Sequence, residues 1–250
     1  MGRQSSFLKI EGNIEGLSFY KGADGVYYVR SKGGIDKNRI KKDPAFRRTR
    51  ENGAEFGHVA TSGKQFRRAI QNLLFDVKDR TRVPRMMQAL TLVKNQDSTS
   101  NRGERKVGVG IQTPEGKALF NHFDFNENAG LDTVLQSNYA LDTGVGELTI
   151  PDFKPALNLS LPEGATDVAL SAALLRLDFD ADSAELIESN VEQLVVDETA
   201  TDVTLTFPSP PSGTGLDYYF LKVTFFQSVN STLYPLQNGA HNALQLIKIE

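Results

Sequence analysis

Tyr218-Tyr-Phe-Leu-Lys-Val-Thr-Phe-Phe226 is the stretch on which the fold class of this 250-residue chain turns. Tyr218, Phe220, Lys222 and Thr224 alternate against Tyr219, Leu221, Val223 and Phe225, the period of a β-strand. Both faces are largely apolar, so this strand should be central in its sheet. Similar strand-like runs surround it at regular spacing: Ala156–Leu161, Ala169–Phe179, Ala184–Ile187, Gln193–Val196, Val203–Phe207 and Leu244–Ile249. Turn signals separate most of them, at Leu161-Pro-Glu-Gly164, Pro208–Gly213 and Asn238-Gly239. About seven short strands in this space predict a β-sandwich of immunoglobulin-like size over 154–250.

Upstream the pattern changes twice. Over 107–153 the alternation of Val107, Val109 and Ile111, the run Phe120–Phe125 and the run Glu147–Ile150 before Pro151 predict a β-rich connector ending in a linker. Before that, Phe66, Ile70, Leu73, Leu74 and Val77 form one apolar stripe, which predicts a helix from about Thr61 to Val77. Pro84 should open another helix carrying Met87, Leu90 and Val93, and the polar segment Asn95–Lys106 should be a loop. Asp43-Pro44 reads as an N-cap followed by Pro at the first helical position. Nearer the N-terminus, Phe7–Ile10, Leu17–Lys21 and Val26–Arg30 read as three short strands, the last two pairing as a hairpin around Gly22-Ala-Asp-Gly25. A meander this small needs something to pack on, in the same chain or in another copy. The expectation is an α+β protein in three segments: a basic hairpin-and-helix domain over 1–106, the connector, and an acidic sandwich.

The net charge of -3 conceals a polarity along the chain. Residues 1–110 hold 23 Lys+Arg and 11 Asp+Glu, whereas residues 111–250 hold 5 and 20. Such a split suits nucleic-acid binding by the basic part, head-to-tail contact between basic and acidic parts of successive copies, or two independently solvated halves.

Composition removes much chemistry. With no Cys there are no disulfides, thiolate metal sites or cysteine nucleophiles, and only His58, His122 and His241 remain as imidazoles. Asp178-Phe-Asp-Ala-Asp182 begins like a calcium loop, but Ser183 and Ser189 stand where that loop needs Gly and Glu, so it reads as an acidic turn. Gly57–Gln65 has the wrong glycine spacing for a phosphate loop and ends in Gln65 instead of Ser or Thr. The reading is therefore of a non-enzyme without cofactor, metal or small-molecule substrate. No apolar run approaches a membrane span and the first residues lack an export signal, so the expected place is the cytoplasm or a particle assembled there.

Two residue sets carry the functional expectation. Phe19, Tyr20, Tyr27, Tyr28, Arg47, Arg48 and Arg50 are candidates for an assembly interface, because aromatics and arginines anchor subunit contacts. Lys37, Arg39, Lys41, Lys42, Arg47, Arg48, Arg50, Lys64, Arg67 and Arg68 would form the phosphate-facing surface of the alternative, a nucleic-acid-binding protein. The first reading is a structural subunit that binds itself and builds a filament, tube, shell or phage-like particle. A third reading places a ligand in the loops around Asp178–Asp182 or Pro208–Gly213.

The segment Gly12-Asn-Ile-Glu-Gly16-Leu-Ser-Phe19-Tyr20-Lys21, with Gly33-Gly34 and Asp43-Pro44-Ala-Phe46-Arg-Arg-Thr49-Arg50-Glu51-Asn52, resembles a set of uncharacterised proteins of the Bacteroidota. Phe123–Asn126, Thr149–Phe153 and Pro162–Thr166 fit the same set, so the resemblance covers most of the chain. It implies a bacterial origin and no activity or catalytic residue.

Overall fold

Residues 2–31 and 33–250 are described by a computed structural model, in which the chain divides between Asn52 and Gly53 into two units. The first unit opens with four short strands: β1 Gly2–Arg3, β2 Gly12–Ile14, β3 Leu17–Lys21 and β4 Tyr27–Ser31. They form an antiparallel sheet in the order β1-β4-β3-β2. The expected hairpin is present, with Phe19 opposite Val29 and Tyr20 opposite Tyr28. Phe7–Ile10, expected as a strand, lies between β1 and β2 outside any strand. Helix α1, Lys37–Lys42, is capped by the Asp36 carboxylate, which accepts from the Asn38 and Arg39 amides. Asp43 caps the 3-10 turn Pro44–Phe46, which leads directly into α2, Arg47–Ala69. That helix therefore starts well before the expected Thr61, because its start is set by the Asp-Pro signal and not by the apolar stripe.

The second unit continues with α3 Gln71–Leu74, α4 Arg82–Lys94, α5 Val107–Gly110, α6 Pro114–Phe120, β5 Phe123–Asp124, α7 Leu131–Val134, β6 Ala140–Asp142, β7 Glu147–Phe153 and α8 Pro155–Asn158. The long strands follow: β8 Asp167–Asp178, β9 Ser183–Val195, β10 Thr201–Thr206, β11 Leu216–Val229, β12 Thr232–Pro235 and β13 Ala243–Ile249. One antiparallel sheet runs β5-β13-β11-β8-β9, with β12 added on β11, and a second runs β10-β7-β6. Strand β11 sits between β13 and β8, central as its two apolar faces require.

Each face of that sheet has its own core. Val168, Leu170, Leu174, Leu221, Val223 and Phe225 meet Leu148, Ile150, Val203 and Leu205 of the three-stranded sheet. On the other face Leu175, Leu177, Tyr218, Phe220, Leu244 and Leu246 meet Val59, Phe66, Ile70, Met86, Leu90 and Val93 of the helices. The protein is thus α+β with several antiparallel sheets, and helices cover the face of the large sheet turned away from the small one. The basic residues of 1–106 are shared between the two units. Among the described residues no helix is long and apolar enough to cross a membrane.

Several local expectations are corrected. Val107-Gly-Val-Gly-Ile111 makes the helical turn α5 instead of a strand, with Val107 and Ile111 in the helix-side core. Its glycines serve close approach, since a Cβ on Gly110 would lie 2.1 Å from the Val93 carbonyl oxygen. Within Phe120–Phe125 only Phe123-Asp124 is strand, because α6 runs through Phe120. Strand β7 passes through Pro151 to Phe153 instead of ending before it, at the register shift against β10 where a missing donor is tolerated. Ala156–Leu161 contains the turn α8, seeded by Pro155 at its first position. The two runs at 184–187 and 193–196 are one strand, β9, bent at a bulge where the Ser189 hydroxyl accepts from the Ala172 amide at 2.9 Å.

At the centre of the helix-side core, Phe66 packs edge-on to Phe120 and Tyr218 at centroid distances of 5.2 and 5.4 Å. The Tyr218 hydroxyl is buried with no hydrogen-bond partner, and burial pushes the phenol far above its ordinary value. Tyr218→Phe should therefore raise stability by about 1 kcal/mol, read as a melting temperature higher by about 2–4 °C. A lower melting temperature would mean that the hydroxyl is satisfied.

Candidate assembly interface

None of the described residues from 2 to 52 is buried, although they form four strands and a capped helix. Register sorts the sheet into two faces. Ile14, Leu17, Phe19, Tyr27 and Val29 share one, and Asn13, Ser18, Tyr20, Tyr28, Arg3 and Arg30 share the other. The four aromatic candidates therefore divide: Phe19 and Tyr27 belong to the apolar face, Tyr20 and Tyr28 to the polar one. On the polar face the rings of Tyr20 and Tyr28 lie 5.8 Å apart, and the Arg30 guanidinium sits 5.4 Å from the Tyr20 ring centre. The Tyr28 hydroxyl donates to Asp24 at 2.5 Å, which holds the Asp24 carboxyl below its ordinary range and lifts the phenol. On the apolar face Leu17 and Ile14 are 42% and 48% exposed.

Between β1 and β2 the chain forms a loop closed by one side chain. Gln4 donates from Nε2 to the Ile10 carbonyl at 3.0 Å and accepts the Ile10 amide on Oε1 at 2.8 Å. The same Nε2 reaches the Tyr28 carbonyl at 3.1 Å, tying the loop to β4. Lys9 donates to the Gln4 carbonyl at 2.7 Å, and the Ser6 hydroxyl to the Leu8 carbonyl at 2.5 Å. At the tip Phe7 is 99% exposed and Leu8 72%. Sequence reasoning missed this knob because Phe-Leu-Lys-Ile resembles a strand. The preceding Gln4-Ser5-Ser6, a polar run suited to local side-chain-to-backbone bonds, is the signal that would have found it.

The basic candidates serve several ends. Lys37, Arg39, Lys41 and Lys42 lie on or beside α1, all exposed, and Arg39 pairs with Asp43 at 3.0 Å. Arg47 pairs with Glu51 at 2.8 Å, whereas Arg48 is exposed. Arg50 donates to the carbonyls of Ile40 and Asp43, bracing α1 against the start of α2. Lys64, Arg67 and Arg68 belong to the second unit. There Lys64 and Arg68 line an open cavity of about 420 Å³ with Gln65, Leu177 and Asp182, and Arg67 is half-buried. The ten cations proposed for nucleic acid are thus distributed over both units.

Elsewhere the conspicuous polar clusters are occupied structurally. Glu55, buried, accepts from Lys94, from Arg105 at 2.8 Å through two nitrogens, and from the Gly103 amide at 2.8 Å. The Arg105 bonds outweigh burial and hold its carboxyl down at about 2. Asp97 accepts from the amides of Thr99, Ser100 and Lys106, and these bonds overcome burial to keep it well below its usual range. His58 accepts the Val107 amide at 3.1 Å, and burial lowers its pKa. Together they pin the polar segment Asn95–Lys106. In the acidic turn, Asp178 accepts from the amides of Asp180 and Ala181, Asp180 pairs with Lys106, and Asp182 accepts from Gln65. In the Pro208–Gly213 loop, Ser212 donates to Glu185 and the Pro211 carbonyl accepts from Arg176. Among the described residues no group of three metal-ligating side chains comes together.

Compared with protein-family models, curated proteins and solved structures, the chain matches none.

Proposed function

We propose that this protein is a non-enzymatic structural subunit that joins copies of itself head to tail, the unit 1–52 of one copy docking on the acidic body of the next. The product would be a filament, tube, shell or phage-like particle. The observation that carries the reading is a four-stranded sheet in which no described residue is buried. A sheet of this size holds its shape in water only with its apolar face covered. The clamped loop adds support, because an apolar knob held ready by Gln4 loses little conformational freedom on docking. Charge favours an unlike partner surface: residues 1–52 hold 12 Lys+Arg and 6 Asp+Glu, and residues 53–250 hold 16 and 25. Contact between different patches repeats into rings or open polymers. In this reading the two facing sheets are the subunit's body, a sandwich of immunoglobulin-like size.

The test is light scattering with negative-stain microscopy on untagged protein at low and high salt. Regular polymers or closed particles are expected at low salt, shrinking as salt screens the charge contacts. A monomer at both salts and at high concentration would remove the proposal.

Exposed Lys37, Lys41, Lys42 and Arg48 support a second reading, binding of nucleic acid by the α1 surface. It requires affinity for DNA or RNA that falls steeply with salt. Replacing Arg47, Arg48 and Arg50 by Ala should abolish that binding.

A further inference from the structure

We infer that the surface receiving the N-terminal unit of a second copy is the helix-side face of β9 beyond its bulge, the strip carrying Val191, Gln193 and Val195. This rests on the self-assembly reading and names its other half. On the edge strand β9 the cover from the helix side ends at Leu186, and the next residue on that face, Glu188, is exposed, while on β8 and β11 it continues over Ala173 and Phe220 to Lys222, which pairs with Asp76. Beyond the bulge Val191 lies opposite Ser171, Gln193 opposite Ala169 and Val195 opposite Asp167. Val191 and Val195 are each 61% exposed, while the alternate Leu194, on the other face, packs against the sheet-to-sheet core. With Ala169 and Asp167 of β8 buried beside them, the two exposed β-branched residues form a narrow apolar strip confined to the edge strand.

Charge selects the occupant. From Leu177 to Leu221 the chain has ten Asp or Glu and no Lys or Arg, and Lys222, in the cross-strand row of Ser171 and Val191, is paired with Asp76 at 2.5 Å. Asp178, Asp180, Asp182, Glu185 and Asp217 are engaged in the turn, in ion pairs and in loop bonds. Glu188, on the same face as the valines, is exposed, and Asp167 stands opposite Val195 on that face, whereas Glu192, opposite Leu170, belongs to the other face. An apolar strip that ends on the exposed Glu188, in an acid-rich stretch of chain, complements an apolar knob set in a cation-rich unit. Residues 2–52 provide that combination in Phe7 and Leu8 with Arg3, Arg30 and the α1 lysines. A nucleic acid would be repelled by this strip, so the occupant is a second copy of the chain.

Two experiments on the full chain test the assignment. The first is Val191→Arg with Val195→Arg, both exposed, so folding should persist and is checked by an unchanged melting temperature. Assembly at low salt should weaken by about 30-fold or more, the scale of losing an interface anchor. The second places a photo-crosslinking benzoylphenylalanine at position 7 and maps the linked peptide, expected within residues 188–198 of another copy. Undiminished assembly of the double variant, or a cross-link mapping elsewhere, would overturn this surface while leaving self-assembly intact. If the native protein remains monomeric, the self-assembly reading falls first and this one with it.

Discussion

Replacing Phe7 and Leu8 together by Ser is expected to give a folded protein that assembles about a thousandfold more weakly. Phe7 stands wholly in solvent and Leu8 mostly so, and neither belongs to either core, so their loss removes nothing from them. Exposed substitutions of this kind change folding stability by no more than about 0.5 kcal/mol. In an assembled state the same side chains would leave water, each contributing about 2 kcal/mol of apolar burial. Losing about 4 kcal/mol corresponds to about three orders of magnitude in association. Sedimentation velocity over a range of concentrations reads the association, and a thermal melt reads the fold. Gln4→Ala should act in the same direction but more weakly, about tenfold, because it keeps the knob and only frees the loop that presents it. Equal assembly of the Phe7 and Leu8 variant and the native chain would show that the knob carries no contact.

The largest effect on stability should come from Glu55→Ala, at about 3–5 kcal/mol. Lys94 is only 4% exposed and would be left as a buried cation facing a cavity. Arg105 and the Gly103 amide would lose their acceptor as well, releasing the segment that they pin. Urea unfolding at neutral pH measures the loss directly, and a change below about 1 kcal/mol would mean that water or another carboxylate replaces the pair. The same site predicts a pH signature. With its pKa lowered from 4.5 to about 2 in the folded state, Glu55 contributes full stability above about pH 5 and loses it as pH falls towards 2. The variant should therefore show a flatter stability profile between those limits than the native chain.

The central strand announced itself because its alternation and its two apolar faces admit a single placement, and β8, β10 and β13 were found by the same period. Helices were legible where one apolar stripe faced one core, as with Phe66, Ile70 and Leu73. Short elements were not. Val107-Gly-Val-Gly-Ile111 satisfies a strand period and an i, i+4 helical spacing equally well, and the close approach of Val93 to Gly110 decides between them. The knob escaped for a related reason: Phe7–Ile10 has the composition of a strand, and side-chain bonds of Gln4, Ser6 and Lys9 to the backbone hold it as a loop.

By itself, residue order determined the α+β class, the central place of Tyr218–Phe226, the hairpin at 17–30, the helix signal at Asp43-Pro44 and the separation of basic from acidic segments. All of these rest on local periodicity, capping and charge, which need no distant partner. Tertiary structure alone decided that α2 and α4 share a core with strands more than a hundred residues away, so that the chain divides at Asn52 and not at the change in charge near residue 106. It likewise decided which charges become structural, because Glu55, Lys94 and Arg105 look like any other surface charges until packing removes their water and leaves them one another as partners.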